Sequence, residues 1–340
     1  MNVTFLIGNG FDLACGMKTS YPDVYEEYIK TASNSDVIAR FKQNLIDEKT
    51  KEKWGNWSDF EMGMARYAKT FQNEGDFIEC VSDFKSFLEK HLKKEEKQLR
   101  EKFIVFNSEM TAQVSRYIKN CVSNFYQGVS KKISRNIENI EKNTLGKSFS
   151  FISFNYTSIF ENVIKKFFNQ NYSISYIHGS LAENDVILGV DNVEQVSANF
   201  NLTKKIKRTF IKPFFNEEYD DNKLNQVKNN ILNSDCICVF GLSLGDSDLM
   251  WKNLIIEWVK SNSENHLFLY DYTCSQINIV DASAKMNEEE TQKEIKLKEF
   301  GFNINDEYFE QIHMPIGKKM FDIEPFLKMV KVESNKNKTA

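Results

Sequence analysis

Four short clusters of chemically capable residues sit where apolar runs end. Gly8-Asn9-Gly10-Phe11-Asp12 follows Val3–Ile7, and Asn155-Tyr156-Thr157 follows Ser148–Phe154. His178-Gly179-Ser180 follows Tyr172–Ile177, and Gly241–Asp248 (GLSLGDSD) follows Cys236–Phe240. Histidine titrates near working pH and can serve as general base or acid, so His178 is a candidate proton carrier. The uncharged amide of Asn155 can orient a ribose hydroxyl or a water without adding charge. Gly8, Gly10 and Gly241 would let backbone approach phosphates, and Ser243 offers a hydroxyl to phosphate or ribose. Such a set suits a nucleotide pocket. It also suits cleavage of an N-glycosidic bond, whose oxocarbenium-like transition state depends on placement of the ribose and water. Singly, His178 also reads as a satisfied turn histidine and Asn155 as an Asx-turn residue. Their position at neighbouring strand ends favours a site.

Several familiar chemistries are excluded by spacing. The dinucleotide fingerprint needs a third glycine three residues after Gly10, where this chain has Leu13, and no acidic residue clearly ends a second strand about 20 residues on. Gly8–Gly16 lacks the G-K-[ST] ending of a Walker A loop. Gly241–Gly245 fits the letters of a serine-hydrolase elbow, but no late histidine is well placed for it. Asp246 and Asp248 read as helix caps rather than metal ligands, and no metal is expected. The basic run Lys204–Arg208 could meet phosphate but reads better as a solvated loop.

These loops must be positioned by strands and helices. Apolar runs at Val3–Ile7, Ser148–Phe154, Tyr172–Ile177, Val186–Leu188, Cys236–Phe240, His266–Tyr270 and Phe309–Met314 predict strands, the uncharged ones being buried on both faces. In a parallel sheet their carboxyl ends share one edge, where ligands bind at the switch point. Cys236 and Cys238 should share a face, with Ile237 on the other. Helices are expected over Phe11–Gly16, Pro22–Lys30, Ser158–Phe168, Leu224–Leu232, after Asp246 or Ser247, and over Glu288–Phe300 and Phe321–Lys331. Trp54–Glu61 opens another helix, capped by Ser58 or Asp59, with its tryptophans read as core. From Phe77 to Lys142 apolar residues recur at three- and four-residue spacings without proline, predicting two or three long helices that bear on shape or partners rather than chemistry. His91, His266 and His313 read as core or surface.

Residues 1–30 and 146–332 are thus assigned to an α/β core, 31–145 to a helical insertion and 333–340 to a frayed tail. A net charge of −4 gives no electrostatic case for nucleic acid or an anionic membrane. The six cysteines lack zinc or disulfide-framework spacing, and neither a signal peptide nor a membrane-length apolar run is apparent, so a reduced cytoplasmic setting is expected.

The motifs resemble those of a known family. Leu6–Ala14 (LIGNGFDLA) with Lys18–Tyr21 (KTSY) is similar to the signature opening of the AbiH family of bacteriophage abortive-infection proteins. Trp57–Glu61 (WSDFE), Phe154–Thr157 (FNYT) with Glu161, His178-Gly179 and Gly241–Asp248 match its later blocks in order, so the likeness spans residues 5–251. Cys15 departs from the pattern, since many members carry histidine there, and position 15 is given no catalytic role. More distantly the blocks resemble SIR2-like proteins. That resemblance implies a Rossmann-like core binding NAD through Gly8, Asn9, Gly10, Phe11, Asp12, Tyr156, Gly179, Gly241, Ser243 and Asp248, with Asn155 and His178 as the catalytic pair. The zinc-binding cysteine module of the protein-deacylating sirtuins is missing, which argues against deacetylation. The expectation is an antiphage effector that hydrolyses NAD+ to nicotinamide and ADP-ribose on infection, with a phage-derived trigger and a homo-oligomer formed through the insertion. One alternative is a non-catalytic sensor of NAD or ADP-ribose. The other is a nuclease or translation-directed toxin.

Overall fold

The first strand, β1 (Asn2–Ile7), lies at the centre of a sheet and is flanked in parallel by strands drawn from distant parts of the chain. In a computed structural model, residues 1–51, 57–104, 106–300 and 307–328 are described. The remaining strands are β2 (Ser148–Ser153), β3 (Tyr172–Tyr176), β4 (Cys236–Phe240), β5 (His266–Tyr270) and β6 (Ile312–His313). All pairs are parallel, and the six strands run in the order β3-β2-β1-β4-β5-β6. The order reverses between β1 and β4, so the switch point falls at the carboxyl ends of those two strands. This is an α/β, Rossmann-like parallel sheet.

Helices fill the crossovers. Between β1 and β2 lie α1 (Gly10–Ala14), α2 (Tyr21–Tyr28), α3 (Asp36–Lys51), α4 (Trp57–Tyr67), α5 (Glu74–Ile104), α6 (Ser108–Ser123) and α7 (Lys131–Lys142). Helix α8 (Ile159–Phe167) follows β2, and α9 (Lys204–Phe210) and α10 (Lys212–Leu232) precede β4. Helix α11 (Leu249–Ser261) links β4 to β5, and α12 (Tyr272–Gln276) and α13 (Ala282–Phe300) follow β5.

Side-chain alternation assigns each face its cover. Phe5, Phe151, Cys236, Cys238 and Phe268 point to one face, where they meet the end of α5 (Leu99, Phe103), α6, α7 and α8. Phe5 and Phe151 are cross-strand partners with ring centroids 5.2 Å apart. Leu6, Ile152, Ile237, Val239 and Leu267 point to the other face and pack on α10 and α11, with Trp258 fully buried. Burying each such side chain is worth about 1.5–3 kcal/mol, so the two faces hold the sheet together. The two cysteines share a face opposite Ile237, as period-two alternation requires. A third apolar cluster joins α2, α3, α4 and the first half of α5 to residues 181–211. The helical stretch before β2 therefore covers one sheet face and also walls the carboxyl edge.

Some sequence expectations are corrected. Val186–Leu188 forms no ladder; its backbone runs beside the His178 loop, with Ile187 N donating to His178 O at 2.9 Å. The strand expected over Phe309–Met314 is two residues long and follows a 3₁₀ turn at Glu307–Gln311. Lys204–Arg208 is helical rather than a loop, and α10 begins at Lys212, well before Leu224. Ser58 and Asp59 lie inside the first turn of α4 rather than ahead of it. Of the helix expected over Phe321–Lys331, residues 324–328 are helical and 329–331 lie outside the described residues, as do Trp54 and the tail 333–340. His266 and His313 are core, buried side by side with Nδ1 and Nε2 3.0 Å apart. Among the described residues no helix is long and apolar enough to cross a membrane.

Candidate functional site

The loop after β1 and the loop after β4 interlock through their backbones. Gly8 N donates to Phe240 O at 2.9 Å, and Gly10 N donates to Gly241 O at 2.8 Å. A Cβ on Gly8 would sit 2.4 Å from Gly241 O, and one on Gly241 would sit 2.5 Å from Gly10 Cα. Glycine is required here because two chains touch, not because Gly8 or Gly10 has a positive φ; only Gly241, at φ +64°, does. Phe11 N is also spent, on Gly8 O at 3.0 Å. The amides of Gly8, Gly10 and Phe11 therefore close the turn and align the loop, rather than standing open to a phosphate. Phe11 itself is core, edge-on to Phe160 with ring centroids 4.9 Å apart. Asn9 spends its amide on the next segment, with Nδ2 donating to Thr19 O at 2.8 Å and Oδ1 accepting from Thr19 Oγ1 at 2.7 Å. From α5, Glu95 accepts from Lys18 N at 2.9 Å and His91 Nε2 lies 2.6 Å from Lys18 O, so the helical layer straps the segment that walls the cavity.

His178 sits at the centre of a second group. Its Nε2 lies 3.0 Å from Asp248 Oδ1, an ion-pair distance without the alignment of a hydrogen bond. The same Asp248 oxygen is 3.1 Å from Lys212 Nζ, which donates to Glu61 Oε2 at 2.8 Å. Glu61 Oε1 accepts from Gly189 N at 3.1 Å, so both of its oxygens are used. Burial pushes the Asp248 carboxyl up, but the Lys212 charge and His178 outweigh it and hold the group well below the usual carboxylate range. Burial pushes Lys212 down, and Asp248 and Glu61 more than offset that, so the ammonium is retained. Glu61 is raised by burial, with Lys212 opposing. Asp248 occupies the N-cap position of α11 without making a capping bond. The first turn of α11 is satisfied instead by Asp191, whose Oδ1 accepts from Met250 N at 2.9 Å. The capping role read for Asp248 is thus corrected.

A third group surrounds Asp12. Its Oδ2 accepts from Thr157 Oγ1 at 2.6 Å, while Oδ1 has no hydrogen-bond partner among the described residues. The carboxyl is only 1% exposed, and burial pushes it up to about 7, with the Glu96 charge adding and the Thr157 hydroxyl and Asn155 amide opposing. Asn155 is 5% exposed and neither its Oδ1 nor its Nδ2 has a hydrogen-bond partner among the described residues. Buried amide atoms are seldom left so, which marks a place where a ligand or water completes them. Two carboxyl groups on one cavity, Asp248 held ionised and Asp12 poised near neutrality, are a division of acid–base roles set by environment.

These groups line a cavity of about 340 Å³ at the β1/β4 switch point. Asn9, Gly10, Asp12, Asn155, Tyr156 and His178 reach it from the β1, β2 and β3 ends, and Gly241, Ser243 and Asp248 from the β4 end. It continues past the end of β5 to Tyr270, Asp271 and Tyr272. Gly8, Phe11 and Gly179 stand behind the wall. Gly179, at φ +70°, is needed because a Cβ would lie 2.0 Å from Asp185 O. Glu61, on α4, and Lys212 also line the cavity. Lys212 was not anticipated. Its one signal was a lone charge inside the aromatic-rich run Phe210–Phe215. The basic run beside it faces elsewhere, Lys204 and Arg208 each lying 2.5 Å from a Glu218 carboxylate oxygen. Among the described residues no three potential metal ligands gather.

Comparison with curated proteins gave no match. The family model for bacteriophage abortive infection AbiH matches residues 4–270, which takes in most of β1, β2 to β5 and the cavity-lining residues up to Tyr270. By that match the chain belongs to the AbiH family of bacteriophage abortive infection proteins.

Proposed function

We propose that this abortive-infection protein hydrolyses NAD+ to nicotinamide and ADP-ribose when the host is infected. The observation that carries the reading is the cavity at the switch point of a 3-2-1-4-5-6 parallel sheet, with the unpartnered Asn155 amide and His178 on its wall. Dinucleotides bind at that place in sheets of this order. The cavity falls within the size range of small-molecule sites and runs along several strand ends, as an elongated ligand requires. In the reaction Asn155 orients the attacking water or a ribose hydroxyl, and His178, steadied by Asp248, engages a ribose hydroxyl of the substrate. Water adds to C1′ of the nicotinamide ribose while the C1′–N bond breaks, its electron pair neutralising the pyridinium. A cell emptied of NAD+ cannot support phage replication, which fits abortive infection.

The test is the NAD+ content of cells carrying wild type, Asn155→Ala or His178→Ala, before and after phage challenge. NAD+ is expected to fall after challenge in the wild type alone, with nicotinamide and ADP-ribose appearing. Intact NAD+ in challenged wild-type cells that still survive the phage would sink the proposal.

A further inference from the structure

We propose that Asp12 is the group that takes the proton from the attacking water, which its Oδ1 holds together with the neighbouring Asn155. This rests on the hydrolytic reading above and assigns a catalytic role that neither Asn155 nor His178 fills as well.

The geometry of three neighbours carries it. Asp12 is held by one oxygen only, through Thr157 Oγ1 at 2.6 Å, which fixes the plane of the carboxyl and leaves Oδ1 without a partner among the described residues. Asn155 beside it has both amide atoms without a partner, and both residues line the cavity. A water held by both would accept from Asn155 Nδ2 and donate to Asp12 Oδ1, completing two of these buried polar atoms at once. His178 is differently placed. Its Nε2 faces the Asp248 carboxylate at an ion-pair distance of 3.0 Å, and that carboxylate is itself bound to Lys212.

The charged and titratable surroundings agree with this role. From α5, Glu96 faces Asp12, and its charge is shared with Arg100 at 2.8 Å and with the Ser158 hydroxyl. Tyr176 on β3 and Cys15 after α1 feel the Asp12 charge, and both are pushed upward chiefly by burial, so they stay neutral. The outcome is a carboxyl that titrates at about 7, where a general base is most effective. In the step, the water oxygen bonds to C1′ and the nicotinamide nitrogen leaves with the bonding pair. The water proton passes to Asp12 Oδ1 and is later returned to solvent.

Protein from phage-challenged cells provides the test. NAD+ turnover is followed from pH 5 to 9 in wild type, Asp12→Asn and Thr157→Val, with NAD+ affinity measured on each and folding checked by thermal melting. For Asp12→Asn, kcat should fall at least about 100-fold while affinity changes little, since general bases contribute about 10²–10⁴-fold. Thr157→Val removes the hydrogen bond that favours the ionised carboxyl, so the acid limb of its pH–rate profile should move upward. A purely structural role would not move that limb. Near-normal kcat in Asp12→Asn, or an acid limb unmoved in Thr157→Val, overturns the assignment while leaving NAD+ hydrolysis standing. A wild type inert toward NAD+ at every pH overturns both.

Discussion

Replacing Asp12 by asparagine should make the protein more stable at neutral pH, and by an amount that depends on pH in a specified way. An unfolded chain releases this proton near the ordinary aspartate value of 3.8, whereas the folded protein keeps it until about 7. Over that interval the native state binds more protons than the unfolded one, so native stability falls as pH rises, at about 1.36 kcal/mol per unit. Three units give a penalty of about 4 kcal/mol at pH 7 and above, shrinking to a small fraction of that by pH 4. Asparagine has the same shape, can still accept from Thr157 Oγ1 and carries no charge to bury. The two proteins should therefore differ least at pH 4 and diverge progressively to pH 7, with Asp12→Asn the more stable. Other titrating groups are common to both and cancel in the difference. Urea denaturation at each half unit from pH 4 to 8 measures it. Parallel stability curves would falsify the claim that burial holds this carboxyl protonated.

Two further substitutions test other parts of the site. Lys212→Met leaves Glu61 and Asp248 buried without their shared cation and should cost about 3–5 kcal/mol by denaturant unfolding. Adding Glu61→Gln should recover part of that loss, and no recovery would show that the two do not act as a pair. Gly241→Ala meets both a φ of +64° and a Cβ 2.5 Å from Gly10 Cα, so it should lower the melting temperature sharply and abolish nucleotide binding. Gly16→Ala, at φ +76° but with open space around the Cβ, should cost only about 1–2 kcal/mol and spare binding.

The strands that carry the site were legible because their inner positions are uninterrupted apolar runs ending in glycine, asparagine or histidine. Asn155 and His178 could be found for that reason. What those loops do to one another was not legible. Gly8 and Gly10 looked like phosphate-facing glycines, yet they are demanded by the approach of Gly241, and nothing local announces a contact between such distant turns. Asp248 looked like a cap because it opens a helix. Its true partners, Lys212 and His178, are set by tertiary folding, which sequence spacing does not encode. Val186–Leu188 reads as a strand by composition, but hydrophobic content alone does not say whether a neighbouring strand is free to pair. Asp12 illustrates the same boundary from the other side. Its identity was plain, while its protonation state depends on burial that only the assembled helices provide.

The order of the strands along the chain also has a consequence for synthesis. The two turns that interlock beside the cavity follow strands whose starts are tied together, Asn2 of the first meeting Asp235 just ahead of the second across 233 residues of sequence. At about 5–20 residues per second, a ribosome needs on the order of 10–50 s to make that span. Until the later strand has left the exit tunnel, β1 has no partner on that side and the cavity is incomplete there. A nascent or truncated chain that stops short of β4 therefore lacks the completed cavity. Under the proposed NAD+ hydrolysis, which would harm the cell that makes the protein, the topology delays competence to the last third of translation, before any trigger or inhibitor needs to act.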